Sequence, residues 1–486
     1  MTNNDVSLTI AGIDFRQDTE PLIKEFFPGF KYRHKVIINI QADESAFGIS
    51  VHLEDADGIV SDTEKIEHEE VVFSSDDDLK IRHRDYRNQL LRGLYRVLSR
   101  LTGQTLPWGI LTGVRPTKLA YEKIERGEAA PWRMLEEVYY CSPQKAKLAT
   151  LVAATEYRLL EDIDYRNGYS LYVGIPFCPS ICNYCTFGSH PIDRFSTCVE
   201  PYLQALEKEL EFSSGYYRDL KLKTVYIGGG TPTAISAQQL GRVIDCIRNC
   251  FDMSDVKEFT VEAGRPDSID RDKLQMLKSK NIDRISINPQ TFVQRTLDLI
   301  GRRHTANQVE DAFIMAREEG FDNINMDLIA GLTGENAADF EYTLERTRGL
   351  APESVTVHTL AHKRAARLTT DPGLYEGYES RDTERMPEMA EAALKTDGYQ
   401  PYYLYRQKNM TDNLENVGYA KPGRECLYNI LIMEEKHPIM ACGAGASSKF
   451  VREGRGRFGR VENVKNVNEY INRIDEMIAR KRDYVL

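Results

Sequence analysis

Three cysteines fall within eight residues, at Cys178, Cys182 and Cys185, in the spacing C-x3-C-x2-C. Thiolates are soft ligands that select zinc or iron–sulfur clusters over hard ions. A [4Fe-4S] cluster usually takes four thiolates, so a loop that supplies three leaves one iron open to something that is not protein. Zinc is the alternative, and it needs a fourth Cys or His. His190, five residues after Cys185, is the nearby histidine. Tyr172, Phe177 and Tyr184 flank the cysteines and favour the cluster.

The elements that must hold this loop begin at Ser170. Candidate strands at Ser170–Val173, Thr224–Ile227, Phe259–Glu262, Arg284–Ile287, Asn323–Leu328 and Ser354–Thr359 alternate with helical patterns. The helices are expected at Val199–Phe212, Ala237–Cys250, Arg271–Ser279, Val309–Glu319 and Ala337–Thr347. Such alternation with short connections implies parallel strands joined by crossover helices. Six units predict an α/β fold, a partial (β/α)6 TIM-like barrel. Its active face lies at the C-terminal strand ends, where the cysteine loop falls.

Other residues map to the same face. Gly228-Gly-Gly-Thr-Pro-Thr233 follows the second strand, and its glycines allow a ligand close to backbone N–H groups. Glu262 ends the third strand and Asp327 lies near the end of the fifth. Each reads either as a structural cap or as a partner for a ribose hydroxyl or an amino group. Gln290 follows the fourth strand, with Arg302 twelve residues later. His358, His362, Lys363, Arg364 and Arg367 cluster after the sixth, as a solvated loop or as a patch for carboxylates.

Three domains are expected: an N-terminal α/β accessory module (1–165), the (β/α)6 core (166–365) and a C-terminal α+β extension over the active site (366–486). In the first, Lys35–Ile40 and Phe47–Leu53 read as strands, Ile59–Phe73 less clearly, and Ser74-Ser-Asp-Asp-Asp78 as loop. Leu90, Leu91, Leu94, Val97, Leu98 and Leu101 mark a helix face that stops at Gly103. Pro107–Leu119, with its lone Arg115, reads as a packed connector or an anion or partner site. In the last, helices are expected at Thr383–Thr396 and Val467–Arg480, with a hairpin around Gly454–Gly459.

The bulk properties narrow the class. A chain of 486 residues exceeds one compact core. No run of eighteen apolar residues occurs and the N-terminus lacks a signal-peptide pattern, so no membrane span and a cytoplasmic location are expected. Nine cysteines, three of them clustered, suit a reducing compartment. A net charge of −11 argues against a general nucleic-acid binder.

Together these segments resemble the radical S-adenosylmethionine (SAM) superfamily, in its oxygen-independent coproporphyrinogen III oxidase/dehydrogenase-like family. The segments that carry the likeness are Tyr172–Cys178, Gly228–Thr233, Val261–Gly264, Asn288–Phe292 and Asn325–Leu332, within roughly residues 168–460. Gly109–Leu119 and the N-terminal module resemble the HemZ subgroup. The resemblance implies that Cys178, Cys182 and Cys185 hold a [4Fe-4S] cluster. Tyr172, Gly229, Gly230, Thr231 and Glu262 then line a SAM site, and Gln290, Arg302 and Asp327 surround a second SAM or the substrate.

The implied reaction converts coproporphyrinogen III to protoporphyrinogen IX, through a 5'-deoxyadenosyl radical and a low-potential electron donor. Arg302 and Lys363–Arg367 are the candidates for its propionates. Phe187 stands where the oxidase has a further cysteine. Gly423–Asn429 and Gly443–Ala446 look more like the heme-trafficking relatives, which makes heme carriage the main rival. A different radical reaction on heme is the third reading.

Overall fold

A computed structural model of the chain describes residues 6–12, 15–27, 35–42, 46–55, 58–67, 76–113, 115–185, 188–361, 370–371, 380–406, 414–451 and 458–484. His362, Lys363, Arg364, Arg367 and Phe187 lie outside them. The chain forms two compact units: Met1–Ala154 with Arg406–Leu414, and Thr155–Tyr405 with Glu415–Leu486.

In the first unit four strands, β1 (Val6–Gly12), β2 (Lys35–Ala42), β3 (Ala46–Asp55) and β4 (Gly58–Glu67), form a sheet in sequence order. β1 and β2 are parallel, and the other pairs antiparallel. Helices Arg16–Phe26 and Asp76–Thr102 accompany it, burying Leu22, Phe26, Leu90, Leu94 and Leu98. β1 and the first helix escaped the sequence reading. The second helix begins inside the acidic run read as loop, because aspartates suit the positive end of a helix. Pro107–Leu119 is a packed connector at its core: Trp108 is buried, and the Ile110 N–H bonds the Tyr139 carbonyl at 2.8 Å. Arg406 stacks over Trp108 at 5.8 Å and pairs with Glu25 at 3.0 Å.

The second unit carries the six strands read from the sequence: β5 (Gly168–Ile175), β8 (Lys221–Gly229), β9 (Glu258–Gly264), β10 (Arg284–Ile287), β11 (Ile324–Ala330) and β12 (Ser354–Thr359). They lie side by side in that order, all parallel. Val173, Ile227, Val261 and Ile285 are fully buried, as expected of strands covered on both faces. Helices Ala237–Cys250 and Arg271–Ser279 begin where the pattern predicted, because Ser236 and Asp270 cap their first N–H groups. A small ladder joins β6 (Phe177–Cys178) to β7 (His190–Pro191).

The C-terminal residues extend the same sheet at both edges. β14 (Asn416–Ala420) runs antiparallel to β12, with β13 (Gln400–Tyr405) outside it. β15 (Ile439–Cys442) lies parallel to β5, followed by β16 (Ser447–Val451) and β17 (Phe458–Glu462). The closing helix is two, Val467–Asn472 and Ile474–Arg482, broken where Arg473 leaves helical geometry at φ −117°. Behind β15, the fully buried Lys481 bonds Glu209 at 2.7 Å, and Glu209 also accepts from Tyr470 and from the Gly443 N–H at 2.8 Å. A buried pair with this many satisfied partners holds one arrangement, and removing one partner strands a charge.

Candidate functional site

The cysteine loop leaves the C-terminal end of β5 and is stitched to two neighbouring segments. The Gly230 N–H bonds the Ile175 carbonyl at 2.8 Å, and the Thr231 N–H bonds the Phe177 carbonyl at 2.7 Å. Thr231 Oγ1 lies 3.5 Å from Cys178 Sγ. Further along, the Asn183 N–H bonds the Ile300 carbonyl at 2.9 Å, and Ser180 Oγ donates to the Gly301 carbonyl at 3.1 Å. The loop is therefore held by the ends of β8 and by the turn before Arg302.

The glycines at the end of β8 are required by space and conformation. Gly229 has φ +114°, which favours glycine. A Cβ on Gly230 would lie 2.6 Å from the Phe177 carbonyl and 3.0 Å from Cys178 Sγ. Burial pushes the Cys178 thiol up to about 11, and the neighbouring Cys182 and Cys185 add to that while Thr231 opposes it.

Two carboxylates face the same mouth with different surroundings. Glu262 accepts from the Tyr226 hydroxyl at 2.5 Å, and burial pushes it up to about 7 against that bond. Asp327 accepts from Asn325 Nδ2 at 2.7 Å and lies 3.8 Å from His358. Burial works to raise Asp327, but His358, Asn325 and Thr356 outweigh it and hold the carboxyl below its usual range. Tyr172 stacks on Tyr226 at 6.3 Å, and Tyr428 on Tyr226 at 4.5 Å, flooring this part of the site.

Gln290 is buried with φ +66°, and its N–H bonds the Asp327 carbonyl at 2.9 Å, tying the β10 loop to β11. Arg302 does not project into open space. It is 7% exposed, donates to the Asn288 carbonyl at 2.5 Å and to the Tyr184 hydroxyl at 3.3 Å, and reaches Cys182. Its Nη atoms are thus engaged by the cysteine loop and by the segment after β10.

Two residues escaped the sequence reading. Tyr226 shares a strand face with Gly228, and strand alternation alone would have placed it in the mouth. Arg265 is 3% exposed and reaches Cys182 Sγ at 3.6 Å. No local signal marked it.

These residues fit a [4Fe-4S] cluster with SAM. Three thiols share one loop, two buried guanidiniums stand ready to balance thiolate charge, and the Gly230 cradle is one that a Cβ would fill. Among the described residues no three His, Cys, Asp or Glu side chains converge on a single ion, whereas a cube takes its thiolates at separate corners. His190 packs edge-on against Phe195 at 4.7 Å. Among the described helices none is long and apolar enough to cross a membrane.

Comparison with known proteins agrees with the geometry. The Radical SAM superfamily profile matches residues 172–347. The oxygen-independent coproporphyrinogen-III oxidase-like protein HemZ of Bacillus subtilis is 40% identical over 420 residues, 85% of this chain and 84% of that protein. The chain belongs to the HemZ-like family of radical SAM proteins. The heme chaperone HemW of B. subtilis is 33% identical over 313 residues, 63% of this chain and 76% of HemW. The structure of coproporphyrinogen III oxidase from Escherichia coli superposes with a TM-score of 0.53 at 23% identity, covering 66% of this chain and 73% of that one, a likeness of fold. As a HemZ-like protein the chain has the α/β fold of the superfamily, whose cofactors are a [4Fe-4S] cluster and SAM.

Proposed function

We propose that this HemZ-like protein is a radical SAM oxidoreductase of tetrapyrrole metabolism that converts coproporphyrinogen III to protoporphyrinogen IX. The observation that carries the reading is the convergence of the three-cysteine loop, the Gly229–Thr231 cradle and the Glu262 and Asp327 carboxylates on one end of one parallel sheet. Likeness over most of both chains to an oxidase-like relative supports the substrate.

In this reading Cys178, Cys182 and Cys185 hold the cluster and leave one iron for SAM. Tyr172, Gly229, Gly230 and Thr231 line the SAM pocket, where backbone N–H groups meet the ligand without a side chain in the way. Glu262, positioned by the Tyr226 hydroxyl, accepts a hydrogen bond from the SAM amine or ribose, and Asp327, held ionised by His358, takes the other. Gln290 fixes the β10 loop against β11. When bound, cluster and SAM would supply, with one electron from a low-potential donor, a radical that takes a hydrogen atom from a propionate; loss of carbon dioxide together with one electron to a one-electron acceptor would then leave the vinyl group. The protein's share is to position these groups and exclude water. Residues 1–165 act as an accessory module, and residues 366–486 cover the mouth.

Heme carriage is the second reading, favoured by the likeness to HemW. An anaerobic assay separates the two. Reconstituted protein receives SAM, a low-potential reductant and coproporphyrinogen III, and vinyl product and 5'-deoxyadenosine are counted together. Product in proportion to SAM cleaved is the expected result. SAM cleavage without vinyl product, together with stable heme binding, overturns it.

A further inference from the structure

Cys182 differs from its two neighbours in what stands behind it. Arg265, in the turn after β9, reaches across 83 residues of sequence to place Nη1 3.6 Å from Cys182 Sγ and 3.2 Å from the Ser180 carbonyl. Its Nη2 donates to Ser180 Oγ at 3.0 Å and to Asp267 at 2.7 Å, and its Nε donates to Asp267 at 2.9 Å. A guanidinium has five N–H donors in a fixed fork, and here five acceptors take them. A fork so fully used cannot turn away from the sulfur without breaking several bonds at once.

The surroundings leave that sulfur in a positive field. Arg302 reaches the same Cys182 from the other flanking segment, and Asp267 pairs with Arg265 at 2.7 Å. His304, fully buried 3.9 Å from Asp267, is kept neutral by burial and by Arg302. Charge interactions are strong where solvent is excluded, and Arg265 and Arg302 are both below a tenth exposed. Reduction of a cluster adds negative charge that spreads onto its thiolates. An N–H···S bond from a buried cation stabilises the reduced form more than the oxidised one, and hydrogen bonds to the sulfurs are a known lever on cluster potential.

We propose that Arg265, clamped by Asp267, is a positioning residue that fixes the Cys182 corner of the cluster and raises the potential at which it accepts its electron. This rests on the cluster reading above. Asp267 then acts as a counterweight that trims the effect, so the two residues should move the potential in opposite directions.

The test uses the full chain, reconstituted anaerobically, with iron and sulfide counted before anything else. The midpoint potential is then measured by redox titration followed by electron paramagnetic resonance. Arg265→Gln should load a complete cluster and lower its electron affinity about tenfold, a shift of about 59 mV to more negative potential for a one-electron couple. Asp267→Asn should shift the potential the other way. Complete clusters with an unchanged potential, or with shifts of the same sign in both variants, overturn the proposal, because general damage to the loop would not give opposite signs. Should Arg265→Gln load no iron, Asp267→Asn decides alone: a positive shift upholds the proposal, and no shift or a negative one ends it. A wild-type chain without iron and sulfide would instead remove the cluster reading itself.

Discussion

On the cysteine-loop side of the mouth, Arg265 and Arg302 are buried: the Arg265 donors go to Ser180, Asp267 and Cys182, and the Arg302 Nη atoms to Asn288 and Tyr184. On the wall built by β9 and β11, Glu262 and Asp327 stay partly exposed, bonded to Tyr226 and Asn325. The first region is closed over by its own side chains, and the second keeps its carboxylates partly exposed. The two carboxylates of that wall differ again. Glu262 has a neutral phenol as its partner and is pushed up to about 7, whereas Asp327 has a histidine and is held low. In the proposed reading, rigid contacts gather at the cluster and titratable charge at the SAM pocket.

The largest effect should come from breaking the gripping side. Cys182→Ala should abolish cluster assembly and SAM cleavage together, read as loss of iron, sulfide and the cluster's visible absorbance; full turnover by that variant would sink the ligand assignment. Gly230→Ala strikes the seam between the two regions, since its Cβ meets the Phe177 carbonyl at 2.6 Å. It should weaken SAM binding by about tenfold or more, on the scale of 1.4 kcal/mol per factor of ten. Equilibrium binding to the reconstituted protein checks it, and wild-type affinity would show that the cradle is not where SAM sits.

Milder changes sharpen the contrast between the carboxylates. Glu262 ionises as pH rises through about 7, so SAM affinity should rise over that interval, because a carboxylate and not a carboxylic acid pairs with an ammonium. Glu262→Gln should flatten that profile, and a variant that kept the rise would assign it to another group. Tyr226→Phe should have the smallest effect. It removes the hydrogen bond that lowers Glu262 and so should move the midpoint of the pH profile upward while leaving SAM affinity above that midpoint nearly unchanged. An unmoved midpoint would mean that the phenol does not govern the carboxyl.

Much of this was legible along the chain because the signals are local. Cys178, Cys182 and Cys185 announce their chemistry within eight residues. The β–α alternation survives because each strand and helix carries its own periodicity, and Arg284–Ile287 and Ser354–Thr359 end where the pattern placed them. The destination of Arg302 was not legible: a lone arginine after a strand looks alike whether it faces a substrate or a neighbouring loop. The break at Arg473 was equally hidden, since both halves continue one amphipathic pattern.

By itself the sequence marked the three-cysteine loop, the glycine cradle and the order of six parallel strands, all properties of short segments. The tertiary structure alone decided what stands behind those segments. It set β15 beside β5, Glu209 against Lys481, Tyr226 under Glu262 and Arg265 behind Cys182. Each of these pairs depends on the lateral packing of strands and helices. That packing is set by burial of apolar faces over the whole unit, so no window of sequence around either partner contains it.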